Sequence, residues 1–448
     1  MLAAGVDEAR MQATVRELCT LGARMGGTDS GDAAAAYLAE AFHTAGLAVE
    51  LRADPEHFCH QENSFRLVVH LPGPEGSASP GIELRHAWPW GFSPSSSGRV
   101  RLQLEAGASV AQLTERYRSP RSQRGAESEV AGPAVVLVDG ANNLDGSWPQ
   151  VHHLPARADN PIAVFGINAE EGRLLRGLLA AEVSVEIEFQ IDATIRIAEP
   201  KTVIASIPAA AGSPPGFLLY CAHGDSDAGG PGADDNASGV AVVLEMARAW
   251  SAGLKAGTLA PPPRELRFAV WGSEIHSTGA YVRALESDAA PLLGVINYDQ
   301  AGYGSGADQL NIEPDDLDAN QSLIAALLEC LDQLGGTPGF PTHWATNKSL
   351  GGTDSYAFSG NRRLKAEGRP ALTLFTSAWD HPDEQPRTPG QLGESWSDRD
   401  EVSVDYDRYY HSAGDTPENT TDKEPWNMGW CARVGLIGGF LWLQRAGG

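Results

Sequence analysis

Apolar residues recur at helical spacing at the start of the chain, with Val15, Leu18 and Leu21 followed by Ala35, Tyr37, Leu38, Ala41 and Phe42. This spacing predicts two helices within residues 7–47. The segment between them, Gly26-Gly-Thr-Asp-Ser-Gly31, carries the Asp and Ser residues that cap a helix start. Residues 49–52 and 65–71 read as strands. From about residue 73 to 130 the chain turns rich in Gly, Ser, Pro and Arg. Strand-like pieces lie at 99–104, 134–138, 162–167 and 183–191, around one short helix at 169–179. Beyond Pro200 strands and helices alternate. Strands are predicted at 202–207, 217–222, 266–271, 293–298, 310–312 and 371–376, and helices at 237–254, 278–286, 320–334 and 426–444. Alternation of this kind implies an α/β layered domain with a largely parallel sheet.

A chain of 448 residues can hold two or three domains, or one large α/β domain with an insertion. The pattern fits the second arrangement, with a main domain over 1–72 and 197–448 and an inserted β-rich domain over 73–196. A net charge of −25 argues against a phosphate backbone or an anionic membrane surface as partner. The longest apolar run, 434–443, is about half of what spans a bilayer and reads as a packed helix. No basic-then-apolar leader is visible, so a cytoplasmic protein is expected. Five scattered cysteines without a CxxC pair predict buried free thiols.

The chemistry-bearing residues follow apolar strands, where ligands gather in such sheets. Phe217-Leu-Leu-Tyr-Cys-Ala runs into His223-Gly-Asp225-Ser226. A glycine-rich loop then leads to Gly232-Ala-Asp-Asp235-Asn236. Arg267-Phe-Ala-Val-Trp-Gly ends in Ser273-Glu274-Ile275-His276, Gly294-Val-Ile-Asn-Tyr in Asp299, and Tyr409-Tyr410 precedes His411. Each has a plain structural explanation when taken alone: Asp235 or Asn236 as a helix cap, Asp299 as a turn residue, His411 as an exposed ring. Together, two imidazoles and several carboxylates at the ends of strands in one sheet suit zinc or a similar divalent ion. An Asp between two ions suits a co-catalytic pair.

Several stretches together resemble the dizinc aminopeptidase family that includes aminopeptidase Y, with glutamate carboxypeptidase II and the glutaminyl cyclases as relatives. They are His223-x-Asp225-Ser, Pro231-Gly-Ala-Asp-Asp-Asn-Ala-Ser-Gly239 with Glu245 behind it, Leu266–Glu274, Val295–Asp299, Gly351-Gly-Thr-Asp-Ser-Tyr-Ala-Phe358 with Arg369-Pro-Ala-Leu372, and Tyr410-His-Ser412. Leu21-Gly-Ala-Arg-Met-Gly-Gly-Thr28 is similar to the family's first helix and loop. The resemblance covers about residues 8–70 and 197–445. It implies a three-layer sandwich with a central mixed, mostly parallel sheet, and it places a protease-associated-like insertion where the middle module lies. It also implies two zinc ions and a peptide or small aminoacyl substrate. His223 and Asp299 would hold one ion, His411 and a Glu the other, and Asp235 would bridge both. Asp225 would orient His223, the Asp235–Asn236 peptide would be cis, and Asp354 would support the site.

One departure carries weight. The family places two adjacent glutamates after its third strand, a general base and then a metal ligand, whereas here only Glu274 is present. Counting forward from Trp271 makes Glu274 the base; counting back from Gly279 makes it the ligand. The strand register favours the base, because a slip of one residue would flip every side chain. The second ion would then lack its carboxylate unless His276 supplies a nitrogen. Residues 274–281 also look like a divergent, poorly characterised branch of aminopeptidase-like proteins with a single Glu. Three readings follow: an aminopeptidase, a single-zinc cyclising acyltransferase like glutaminyl cyclase, and a metal-bound peptidase homologue with a binding role. His152-His153, the Trp88 and Trp90 segment and Trp379 are weaker signals, each with local packing or solvation as its simpler explanation, while His381 and Glu384 could enter the site.

Overall fold

The computed structural model of the chain describes residues 2–73, 80–117, 132–143, 146–226, 229–288, 290–304, 309–348, 352–376 and 409–445. It opens with helices α1 (Glu8–Cys19) and α2 (Asp29–Thr44) and strand β1 (Ala48–Ala53). Next come β2 (His57–His70), β3 (Ile82–Glu83), β4 (Ala87–Pro89), β5 (Ser96–Gln103), β6 (Ala111–Thr114), β7 (Val135–Val138), β8 (Ala163–Ile167), α3 (Ala169–Ala180) and β9 (Glu186–Ala198). The remainder holds β10 (Lys201–Ile207), β11 (Phe217–His223), α4 (Gly239–Lys255), β12 (Glu265–Trp271), α5 (Glu274–Ala284), β13 (Leu292–Tyr298), β14 (Gln309–Glu313), α6 (Gln321–Leu334), β15 (His343–Thr346), α7 (Ser355–Ser359), α8 (Arg362–Ala366), β16 (Ala371–Phe375) and α9 (Asn427–Arg445).

Among the described residues there are two eight-stranded sheets. The first runs β1-β10-β12-β11-β13-β16-β14-β15. Its centre, β12-β11-β13-β16, is parallel, while β10 joins β12 and β14 joins β16 in antiparallel fashion. The parallel strands are buried on both faces, so they read as continuous apolar runs. Alternate residues of β11 serve opposite layers. Leu218, Tyr220 and Ala222 pack with α1, α2, α4, α6 and α9. Phe217, Leu219 and Cys221 pack with α5, α7 and α8. This is a three-layer α/β/α sandwich.

The second sheet runs β3-β2-β9-β5-β6-β7-β8-β4 and has its own core around Leu67, Val135, Phe165 and Ile187. The 73–196 segment lies inside the span of this sheet, whose long antiparallel ribbon of β2 and β9 runs from His57–Ala198 to His70–Glu186. Trp88 packs edge-on to Phe65 and Trp90 is buried against Val164, so both tryptophans serve local packing. All five cysteines are free, and four of them are buried. No helix among the described residues is long and apolar enough to cross a membrane.

Helix α5 begins at Glu274, four residues before the apolar periodicity suggested. Its first turn holds one apolar residue, Ile275, and borders a cavity through Glu274, Ile275 and His276. Helix α4 begins at Gly239, two residues late, because the chain departs from helical geometry at Asp235 (φ −108°, ψ 90°) and Asn236 (φ −139°, ψ 38°).

Candidate metal centre

The ends of β11 and β13 and the turns at 233–238 and 409–415 converge on one point. His223, the last residue of β11, is buried. Its Nδ1 lies 3.2 Å from Asp225 Oδ1, which fixes the tautomer by taking the Nδ1 proton. The other nitrogen, Nε2, then presents a lone pair, yet it faces Asp235 Oδ1 at 3.2 Å and Asp299 Oδ1 at 3.4 Å. Asp299 Oδ1 is itself buried without a hydrogen-bond donor. Three acceptors aimed at one another require a positive charge between them. Burial disfavours a charged ring, but the Glu274, Asp299, Asp225 and Asp235 carboxyls outweigh it and hold the His223 pKa well above its ordinary value. The donor set therefore fits a divalent cation: His223, Asp235 and Asp299 each offer one atom, all within 4.8 Å of one another.

Asp235 faces two ways. Its Oδ1 meets His223, and its Oδ2 lies 3.1 Å from His411 Nε2. Burial pushes its carboxyl up, but the two imidazoles outweigh this and hold it below the ordinary carboxylate range. The local backbone makes that pose possible. The Asp235–Asn236 peptide is cis. Asp415 accepts the N–H groups of Asp234 and Asp235, and Asn236 Nδ2 donates to the Tyr298 carbonyl at 2.9 Å. Gly239 is needed at the helix start because a Cβ there would collide with Asn236 Oδ1 and the Tyr298 carbonyl.

His411 sits in a turn at φ 48°, a conformation uncommon for a non-glycine residue. Its ring stacks on Tyr410 with centroids 3.8 Å apart. Its carbonyl accepts the N–H of Val151 at 2.8 Å, so the second sheet's domain helps hold this loop. Gly230 lies against the same turn, where a Cβ would collide with the Ser412 carbonyl. Beneath the site the buried Arg24 guanidinium donates to the carbonyls of Pro231, Gly232 (3.1 Å) and Gly224 (3.3 Å).

Glu274 opens α5, and its backbone N–H bonds to both oxygens of Asp225 at 3.1 and 3.2 Å. Its carboxyl lines the same cavity as His223, Asp235, Asp299 and His411 and makes no hydrogen bond among the described residues. Burial, reinforced by Asp354, Asp299 and Asp225 against the pull of His223, raises its pKa well above the ordinary value. Ile275 is 54% exposed and lines a cavity that also borders His223, Asp235, Glu274 and His411. His276 is not brought into the cluster. Its Nε2 lies 2.6 Å from the Pro55 carbonyl, and its ring stacks on His57 at 4.6 Å. Asp354 is buried behind the site, hydrogen-bonded to Thr278 of α5, and burial pushes its carboxyl up to about 7. His152 packs edge-on to Trp90, and His153 to Phe92 and His60. Trp379, His381 and Glu384 lie outside the described residues.

Four residues of the site carried no role in the sequence reading: Arg24, Tyr410, Asp415 and Glu313. Glu313 ends β14, lines the cavity and is buried, which together with Asp299 and Asp315 pushes its carboxyl up to about 8. The signal for it was available in the alternation Gln309-Leu-Asn-Ile-Glu313, which marks a strand with a polar face.

Comparison with known proteins adds family context. A family model, Peptidase family M28, matches residues 202–434. The chain is 30% identical over 211 residues to "Probable lipoprotein aminopeptidase LpqL" of Mycobacterium tuberculosis, covering 46% of this chain and 38% of that protein. It is 30% identical over 156 residues to aminopeptidase YwaD of Bacillus subtilis, covering 34% and 30%. Against "Probable leucine aminopeptidase 2" of Trichophyton verrucosum it is 26% identical over 308 residues, covering 67% and 55%. The chain thus spans from under a third to about half the length of these curated relatives. Among solved structures, a peptidase M28 precursor from Shewanella amazonensis superposes with a TM-score of 0.63 at 18% identity, over 99% of this chain and 95% of that one. A zinc aminopeptidase from Bacillus subtilis does so with a TM-score of 0.61 at 17% identity, over 96% and 94%. At these identities the likeness is one of fold.

Proposed function

The chain belongs to peptidase family M28, and we propose that it is a zinc-dependent aminopeptidase with a co-catalytic pair of ions. The observation that carries this reading is the two-sided Asp235 carboxylate, set between His223 and His411 with Asp299 beside it. His223 and Asp299 would hold one ion, and His411 the other, with Asp235 shared between them. When bound, the ions would polarise the scissile carbonyl and acidify water. Asp225 keeps the His223 ring in the required tautomer. Glu274 is the general base: its carboxyl lines the cavity beside His223, Asp235 and Asp299, where it can take a proton from the attacking water and pass it to the leaving amine.

The test is metal analysis of the purified protein together with turnover of aminoacyl-p-nitroanilides. Release that stops with a chelator and returns with zinc supports the reading; no release across a broad panel from zinc-loaded protein refutes it. A second reading, a metal-bound homologue with a binding role, is favoured by one observation: the apolar Ile275 follows Glu274 at the cavity wall, where a second carboxylate would complete the site. It predicts tight zinc binding, no turnover by the wild type, and no effect of Glu274→Ala.

A further inference from the structure

Strand β14 has two dissimilar faces. Leu310 and Ile312 join the core beneath α6 and α9, while Gln309, Asn311 and Glu313 lie on the opposite face. Gln309 Nε2 donates to Asn311 Oδ1 at 2.6 Å, and Asn347 Nδ2 donates to the same oxygen at 3.3 Å. Glu313 has no such partner. It is 8% exposed, and its Oε2 is buried without a hydrogen bond. No lysine, arginine or histidine pairs with it among the described residues.

Sheet register locates this carboxyl relative to the metal centre. Glu313 pairs with Thr373, and Thr373 pairs with Asn297, two residues before Asp299. At about 4.8 Å per strand, Glu313 sits roughly 10 Å across the sheet from Asn297. A single cavity of about 150 Å³ is lined both by Asp235, Glu274 and Asp299 and by Glu313, Thr373 and Phe375. A void of this order admits a guest about the size of benzene.

Resting on the aminopeptidase reading, we propose that Glu313 recognises the cationic side chain of a substrate's N-terminal lysine or arginine. A buried carboxyl with no partner is costly, and an incoming ammonium or guanidinium removes that cost by pairing with it. The α-amine must stay beside the scissile bond at the metal end. The displaced carboxyl therefore meets the far end of a long side chain, which the four-carbon lysine stem or the arginine fork can reach. An apolar side chain of the same length would leave Glu313 unpaired and so be rejected.

The experiment compares lysyl, arginyl, norleucyl and leucyl p-nitroanilides on zinc-loaded wild type and Glu313→Gln, with zinc content measured for both. The wild type should favour lysine over norleucine at least tenfold in kcat/KM. That ratio should fall at least tenfold in the variant, with zinc content unaltered. A lysine-to-norleucine ratio near one in the wild type overturns the inference. So does an equal slowing of all four substrates by Glu313→Gln, which would place Glu313 at the α-amine or the reacting centre. If the wild type turns over none of them, the aminopeptidase reading fails by itself, and calorimetric binding of lysinamide against norleucinamide decides on Glu313. Tighter lysinamide binding that the variant loses upholds cation recognition; equal or absent binding overturns it.

Discussion

Asp415 holds the backbone of Asp235 from below: its Oδ2 accepts the Asp235 N–H at 2.9 Å while its Oδ1 accepts that of Asp234 at 2.8 Å. The carboxylate facing both imidazoles is thus aimed by a second carboxylate that is itself buried. Supports of this kind are typically worth ~10- to 100-fold in metal affinity. Asp415→Ala should therefore weaken zinc binding by about that factor, read by competition with a chromogenic chelator. An affinity within twofold of wild type in a folded variant would remove Asp415 from the metal's support.

Glu274 separates the two registers that the single glutamate leaves open. As general base it should lose ~100- to 10,000-fold in kcat on Glu274→Gln, with metal content unchanged. As a ligand it should lose one equivalent of zinc on the same substitution. Glu274 lines the cavity but stands outside the group formed by His223, Asp235 and Asp299, which favours the first outcome. Metal analysis of the variant beside its kinetics decides between them.

The sheet and the grouping of His223 with Asp299 could be read from the sequence for one physical reason. Buried parallel strands are unbroken apolar runs, and the polar residue that ends each run must face the cavity, as His223 and Asp299 do. Strand boundaries at β11 and β13 fell within a residue of prediction on that basis. Helix α5 began earlier than expected because Glu274, His276 and Ser277 surround the lone apolar Ile275, and a periodicity count passes over the turn. Arg24 and Asp415 went unassigned because their work is to satisfy backbone groups at 224, 231–232 and 234–235. Such contacts span some 200 residues of sequence and leave no local pattern. His276 is a ligand-type residue near the motif whose Nε2 meets the Pro55 carbonyl and whose ring stacks on His57.

Arg24 is a buried cation spent on carbonyl oxygens of the loop between β11 and α4. Arg24→Met keeps much of the stem but leaves the carbonyls of Gly224, Pro231 and Gly232 without that donor. Gly232 still accepts the Ala237 N–H at 3.0 Å and Pro231 the Cys19 thiol at 3.6 Å, so the Gly224 carbonyl is the one stranded, and the variant should lose about 1–3 kcal/mol. Urea unfolding should show a lower midpoint at an unchanged m-value. A loss below about 1 kcal/mol would mean that water replaces the guanidinium.

Glu313 also makes stability depend on pH in a direction that can be stated in advance. Burial, with Asp299 and Asp315 nearby, raises its carboxyl to about 8 in the folded chain, against ~4.3 when unfolded. Between those values the folded state holds a proton that the unfolded state has released, so stability falls as pH rises through the window. Glu313→Gln mimics the protonated carboxyl and cannot titrate. In zinc-free protein the variant should match the wild type near pH 4. It should then exceed it progressively up to about pH 8, by an amount on the order of a few kcal/mol. Above pH 8 the gap should stay constant. Thermal or urea melts of the two proteins at paired pH values measure that gap. A difference that does not change between pH 5 and 9 would mean that Glu313 is ionised in the fold and already paired with a cation.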